Sequence, residues 1–143
     1  MSIFRRLDHV SIGVKDHEKA ERLFIDIFGG ERMGDAGVSP GECFRWSTFK
    51  LGGKKVELVS PTEPGAPGVG KYLEKYGEGM HHLSISVDNL SSAIAYFQSQ
   101  GVRVLAENDS NPLWRHCYLH PADTFGVLIQ VFEENEQTLK GGE

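Results

Sequence analysis

Asp8-His9-Val10-Ser11-Ile12-Gly13-Val14 and His81-His82-Leu83-Ser84-Ile85-Ser86-Val87 are the two stretches that decide the fold. Each is a histidine leading an alternating strand, and the two stand 73 residues apart, counted from His9 to His82. Self-similarity at a fixed displacement marks a repeated structural unit. After each strand comes a helical stretch, 16–28 and 89–100, opened by a residue suited to cap a helix, Asp16 or Asn89. The helices close near Gly29-Gly30 and Gly101. Ala20, Leu23, Phe24 and Ile27 fall at helical spacing in the first copy, and Ala93, Ile94 and Phe97 in the second, so all seven are expected in the core.

A second echo closes the repeat. Gly53-Lys54-Lys55-Val56-Glu57-Leu58-Val59 precedes Gly126-Val127-Leu128-Ile129-Gln130-Val131-Phe132 by the same 73 residues. Chance likeness of two short strands would not preserve one spacing across a helix and several further segments. We therefore expect an α+β fold of tandem βαβββ modules with pseudo-twofold symmetry, forming a curved sheet. The modules are placed at 5–60 and 78–133 of a single domain spanning 1–143, with intermediate strands near 42–51 and 114–119. A proline- and glycine-rich linker with a short helix at 71–76 fills 61–77, loops are expected at 34–41 and 108–112, and a charged, flexible tail at 134–143.

Composition narrows the class. The chain has 143 residues, 39% hydrophobic and 24% charged, enough to bury a core without a disulfide scaffold. No apolar run approaches the about 20 residues of a membrane span, and no secretory leader is evident at the N-terminus. A net charge of -5 argues against nucleic acid or an anionic membrane as partner. Cys43 and Cys117 form no CxxC pair, which suits a reducing, cytoplasmic setting.

The repeat gives four residues a common explanation: His9, Glu57, His82 and Gln130 occupy equivalent strand positions. Singly, each has an ordinary reading as a polar strand residue, since alternation alone would expose Glu57 between Val56 and Leu58. Together they offer two imidazole nitrogens and two oxygens, a set suited to one divalent first-row ion with positions left for water or substrate. Carboxamide is the weakest donor of the four. Co, Mn, Ni, Zn and Fe all remain open as the ion.

LDHVSIGVKD, KKVELVSPTEPGAPGVGKYLEKYGEGMHHLSISVDN and LHPADTFGVLIQV resemble the vicinal oxygen chelate (glyoxalase/bleomycin resistance/dioxygenase) superfamily, and within it methylmalonyl-CoA epimerase and its relatives. The likeness runs through about residues 6–132 and is most specific over 57–89. It implies tandem βαβββ modules around a metal-containing cleft, commonly in a homodimer. It also implies His9 and His82 as ligands, with Glu57 and Gln130 at the other two ligand positions. His82 matches His9 in register, so His81 is expected on the other side of its strand.

The chain departs from that family at Gln130, where typical epimerases carry a glutamate that binds metal and exchanges a proton with the carbon beside the thioester. Glutamine has no acid–base chemistry near neutral pH, which leaves Glu57 as the general base. The stretch ENDSNPLWRH at 107–116 replaces a glycine-rich segment of such epimerases. There Trp114 and Arg115 are candidates to bind substrate, the arginine through its planar fork. His120 is expected to serve a turn, His17 and His116 are read as solvated or catalytic, and the cysteines as small apolar fillers.

Three functions compete. The first is a metal-dependent epimerase or isomerase that removes a proton next to a carbonyl or acyl thioester through a metal-stabilised enolate. The second is a glyoxalase-type lyase or dioxygenase, because His9, His82 and Glu57 also satisfy a two-histidine, one-carboxylate count. The third is a non-catalytic binder of an antibiotic or other small molecule, which the near-complete ligand set disfavours.

Overall fold

The computed structural model describes residues 2–142, so Met1 and Glu143 lie outside the described residues. The fold is α+β. Its elements are β1 (Phe4–Gly13), α1 (His17–Glu21) continued by a π-helical turn (Arg22–Ile27), β2 (Glu31–Ser39), β3 (Phe44–Leu51), β4 (Lys54–Pro61), α2 (Val69–Tyr76), β5 (Gly79–Val87), α3 (Leu90–Ser99), β6 (Val104–Asn108), β7 (His116–Leu119), β8 (Ile129–Glu133) and α4 (Glu136–Gly142).

Two compact units make up the described residues: 10–81, and 2–9 together with 82–142. The divisions between these units fall inside β1 and β5. In the first unit the strand order is β2-β3-β4-β1-β5, with β1 parallel to β4 and β3 antiparallel to it. In the second it is β1-β5-β8-β7-β6, with β5 parallel to β8 and β7 antiparallel to it.

Alternation fixes what each sheet face does. In the unit of residues 10–81, Val56, Leu58 and Phe49 pack with Val14 against Ala20, Phe24 and Ile25 of the first helix. In the other unit Val87, Cys117, Leu119 and Val131 pack against Leu90, Ala93, Ile94 and Phe97 of α3. Full burial of a side chain of this kind contributes roughly 1.5–3 kcal/mol, enough to fix the strand register. Glu57 and Gln130, each one residue out of phase with those cores, project from the opposite faces.

Some expectations need correction. Leu23 and Ile27 are exposed, 39% and 63%, and Ile25 packs in their place. The inward stripe is His17, Ala20, Glu21, Phe24 and Ile25, a regular helical face in which two positions are polar. After it, Phe28 N donates to Leu23 O across five residues, and the chain leaves the helix through Gly29 at φ 78°.

The expected loop at 34–41 is mostly strand β2. Its glycines mark a register shift between Arg32 and Ala36 and a close approach, since a Cβ on Gly37 would meet the Trp46 ring at 2.8 Å. Cys43 sits in a left-handed turn at φ 59° rather than in a strand. The charged tail carries α4, whose start is held by Asn135 Oδ1 accepting from the Gln137 and Thr138 amides.

Candidate metal centre

Two hydrogen bonds restate the repeat in chemical terms. Ser11 lies opposite Glu57 in the β1–β4 register and its hydroxyl donates to Glu57 Oε1 at 3.0 Å. Ser84 lies opposite Gln130 in the β5–β8 register and its hydroxyl donates to Gln130 Oε1 at 2.9 Å. Both serines are fully buried, so each holds its partner from a fixed strand. Each stands two residues after a histidine, His9 or His82, and residues two apart on a strand share a face.

His9 and His82 are both buried, with ring centroids 5.6 Å apart and planes at 73°. His9 Nδ1 lies 2.7 Å from Asp8 Oδ2. An aspartate accepting the Nδ1 proton fixes the imidazole in the tautomer whose lone pair is on Nε2, the pattern that orients metal-binding histidines. Arg6 holds the same aspartate, Nη2 to Oδ1 at 2.9 Å.

Gln130 is held at both ends of its amide, because Nε2 also donates to the Tyr118 hydroxyl at 3.0 Å. Tyr118 faces Gln130 across the β7–β8 pair, and its ring meets the edge of His82 at 6.2 Å. Carboxamide oxygen has two lone pairs, so accepting from Ser84 leaves one for a cation. The donor set of His9, His82 and Gln130, with an aspartate behind one imidazole, thus fits a divalent ion by its chemistry.

The remaining candidates divide. Trp114 stacks on Phe132 at 5.2 Å and lies as close to His116, which is buried rather than solvated. Arg115 reaches Glu133 at 3.5 Å, while its Nε is buried with no hydrogen-bond partner among the described residues. His120 caps a turn, its Nδ1 accepting from the Ala122 amide. His81 turns to Tyr72 of α2, ring centroids 4.5 Å apart, and burial pushes its pKa down to about 4. Burial raises the Cys117 thiol to about 12, which makes it inert filler.

His17, read from sequence as solvated or catalytic, is not solvated. It is buried between Ser60 and Ser47, each hydroxyl 2.7 Å from a ring nitrogen, with Glu21 Oε1 at 3.3 Å. Sequence reading also missed Asp8, Arg6 and Tyr118. Two surface clefts, of about 540 Å³ beside Arg5 and Asn89 and about 620 Å³ beside His17 and Arg45, are lined by none of the candidate ligands.

Comparison with known proteins gives this chemistry a class. Residues 8–118 match the Glyoxalase/Bleomycin resistance protein/Dioxygenase superfamily, and the chain belongs to it. Within that superfamily it is similar to methylmalonyl-CoA epimerases. It is 31% identical to the mitochondrial methylmalonyl-CoA epimerase of Bos taurus, over 88% of this chain and 73% of that protein. It is 30% identical to the ethylmalonyl-CoA/methylmalonyl-CoA epimerase of Cereibacter sphaeroides, over 88% and 96%. A solved Streptomyces coelicolor methylmalonyl-CoA epimerase variant in complex with 2-nitronate-propionyl-CoA superposes with a TM-score of 0.81 at 28% identity, covering 93% of this chain and 96% of that one. These relatives make the chain an enzyme of the isomerase or epimerase kind. No described helix is long and apolar enough to cross a membrane.

Proposed function

We propose that the chain is a metal-dependent epimerase that moves the proton on the carbon next to the carbonyl of an acyl-CoA thioester, with Glu57 as general base. His9, His82 and Glu57 would hold the ion, with Gln130 as the fourth donor. The observation that carries the reading is the pair of matched bonds, Ser11 to Glu57 and Ser84 to Gln130, which supports an equivalent placement of the two residues in the two repeats. Of the two only Glu57 ionises. The acyl-CoA substrate is supported by the ligand of the Streptomyces enzyme.

A divalent ion at this centre would withdraw charge from the substrate carbonyl oxygen and so acidify the neighbouring C–H. Glu57 takes that proton on a carboxylate oxygen, and the C–H electron pair moves into the carbonyl. Glu57, its proton exchanged with solvent, returns one to the face it was taken from, and inversion takes a proton from water on the other face of the planar enolate, because Gln130 has none to give. Ser11 holds Oε1 through its hydroxyl, which steadies the carboxylate between proton uptake and release. A base that is also a ligand has a lowered proton affinity, so the step is slower than with an unligated carboxylate. Trp114 and Arg115 contact the substrate in this reading, the guanidinium exchanging Glu133 for a substrate carboxylate.

Glu57→Gln keeps an oxygen donor and deletes the base. Metal content and fold should be retained, and exchange of the α-proton with deuterated solvent should fall at least 100-fold, read by mass spectrometry on a 2-methyl-branched malonyl thioester. Exchange at the unmodified rate would overturn the assignment. A second reading, dioxygenase chemistry, draws on the presence of two histidines and one carboxylate, and oxygen uptake by the iron-loaded protein separates it. We further propose a homodimer, a state that supplies cover for the exposed apolar side chains Leu7 and Met80. Light scattering at tens of micromolar should give twice the chain mass, and a monomer would reject it. Free Cys43 and Cys117 support a reducing, cytoplasmic setting.

A further inference from the structure

The end of the chain is tied to the metal centre by an unbroken run of polar contacts. Ser86 Oγ donates to Glu134 Oε1 at 2.6 Å, and Arg6 Nε lies 3.4 Å from the same oxygen. Arg6 Nη2 donates to the Thr138 carbonyl of α4 at 3.2 Å. The same guanidinium reaches Asp8 Oδ1 from Nε at 3.1 Å and from Nη2 at 2.9 Å. Asp8 then places Oδ2 2.7 Å from His9 Nδ1. The Asp8 and His9 side chains are only 3% and 5% exposed, and Glu134 13%, so water competes little for these contacts.

We propose that Arg6 and the C-terminal segment 134–138 are positioning residues for the metal centre, acting through Asp8 on the His9 imidazole. The inference rests on the reading of His9 as a ligand and extends it to a part of the chain that composition marked as a tail. A carboxylate beside an imidazole fixes the tautomer and the ring plane only if the carboxylate is itself fixed. Arg6 binds one oxygen of Asp8 and leaves the other for His9, so the aspartate cannot swing away without giving up a charge-assisted bond. Arg6 is a long side chain with many rotamers, and its own position comes from Glu134 and the Thr138 carbonyl. Asn135 completes the run by holding the first turn of α4, its Oδ1 on the Thr138 amide at 3.0 Å and its amide on Thr138 Oγ1 at 2.8 Å.

The test titrates Co²⁺ alone into the metal-stripped full-length protein, reading its visible absorption spectrum for affinity and ligand field. Asp8→Asn should weaken binding about 10- to 100-fold, the range for removing a partner behind a ligand. Arg6→Gln should weaken it about 10-fold and Asn135→Ala by a smaller factor, both with unchanged far-ultraviolet circular dichroism. Arg6→Gln combined with Asp8→Asn should be no weaker than Asp8→Asn alone, because the arginine acts only through the aspartate. A merely structural arginine would give additive losses instead. Unchanged Co²⁺ affinity in Arg6→Gln, or additive losses in the double variant, overturns the proposal. His9→Ala separates the two levels: full Co²⁺ binding in that variant would remove the metal centre itself, whereas its loss together with an unaffected Arg6→Gln would remove only the support.

Discussion

Glu57 and Gln130 differ by one functional group and in everything that group can do. Each accepts from a buried serine, at 3.0 Å and 2.9 Å, so the strands present them alike. A carboxylate accepts at both oxygens, whereas the carboxamide has a donor end that needs an acceptor, and Tyr118 supplies it at 3.0 Å. Opposite Glu57 the register places Thr48, whose hydroxyl is turned to the Asp35 carbonyl. Metal binding should therefore depend on the imidazoles before the amide. His9→Ala or His82→Ala should abolish stoichiometric metal in the purified protein, while Gln130→Ala should lower affinity and leave a measurable fraction bound, as metal analysis by mass spectrometry would show. Full metal content in both histidine variants would reject the centre. The four candidate ligands were legible because they recur at one spacing. Arg6 and Asp8 were not, because Gly79 and His81 stand at the equivalent positions and the repeat carries no trace of their role.

The first helix shows where apolar spacing misleads. Counting only apolar residues selects Ala20, Leu23, Phe24 and Ile27, yet the buried face runs through His17, Ala20, Glu21 and Phe24. The second repeat held the answer: Leu90, Ala93, Ile94 and Phe97 lie 73 residues beyond those four and are buried together. His17 and Glu21 thus stand where α3 has leucine and isoleucine. Ser47, facing Leu58, likewise corresponds to Cys117, facing Val131. One repeat packs apolar side chains at these places and the other packs a hydrogen-bonded polar cluster closed by Ser60, Arg32 and Arg45.

That cluster makes stability depend on pH. Burial first, and then the Arg45 charge, lowers the His17 pKa from its ordinary 6.5, against the opposing pull of Glu21. Burial works against the Glu21 carboxylate too, but hydrogen bonds from Arg32 and Ser47 hold it below its usual value. A histidine kept neutral by folding contributes fully above the unfolded value near 6.5, and its contribution is lost as pH falls from there toward the lower folded value. Urea unfolding at pH 7.5, 6.5 and 5.5 should show stability falling across this window. His17→Leu should cost about 1–3 kcal/mol at pH 7.5 by stripping partners from Glu21, Ser47 and Ser60. It should also flatten the decline between pH 6.5 and 5.5, and an equally steep decline in that variant would contradict the assignment.

Over the whole molecule the duplication was readable and its divergence was not. Both N-caps fell where the sequence placed them, Asp16 accepting from the Lys19 amide and Asn89 from the Ser92 amide. Strand β2 was hidden because Gly34 and Gly37 look like loop residues, although one lies at a register shift and the other makes room for Trp46. What the repeats retain is the serine-held position on the face opposite each helix, and what they exchange is the ionisable group. Glu57→Gln combined with Gln130→Glu conserves net charge and the count of oxygen donors while moving the base from one repeat to the other. Metal should remain stoichiometric, and exchange with deuterated solvent should return above the level of Glu57→Gln alone. Because the base would then act from the other repeat's strand, the two enantiomers of a 2-methyl-branched malonyl thioester should change their order of exchange, measured separately by chiral analysis. If the double variant binds metal and exchanges neither enantiomer, the two positions are not equivalent in chemistry. If it exchanges both in the original order, the base lies outside the pair.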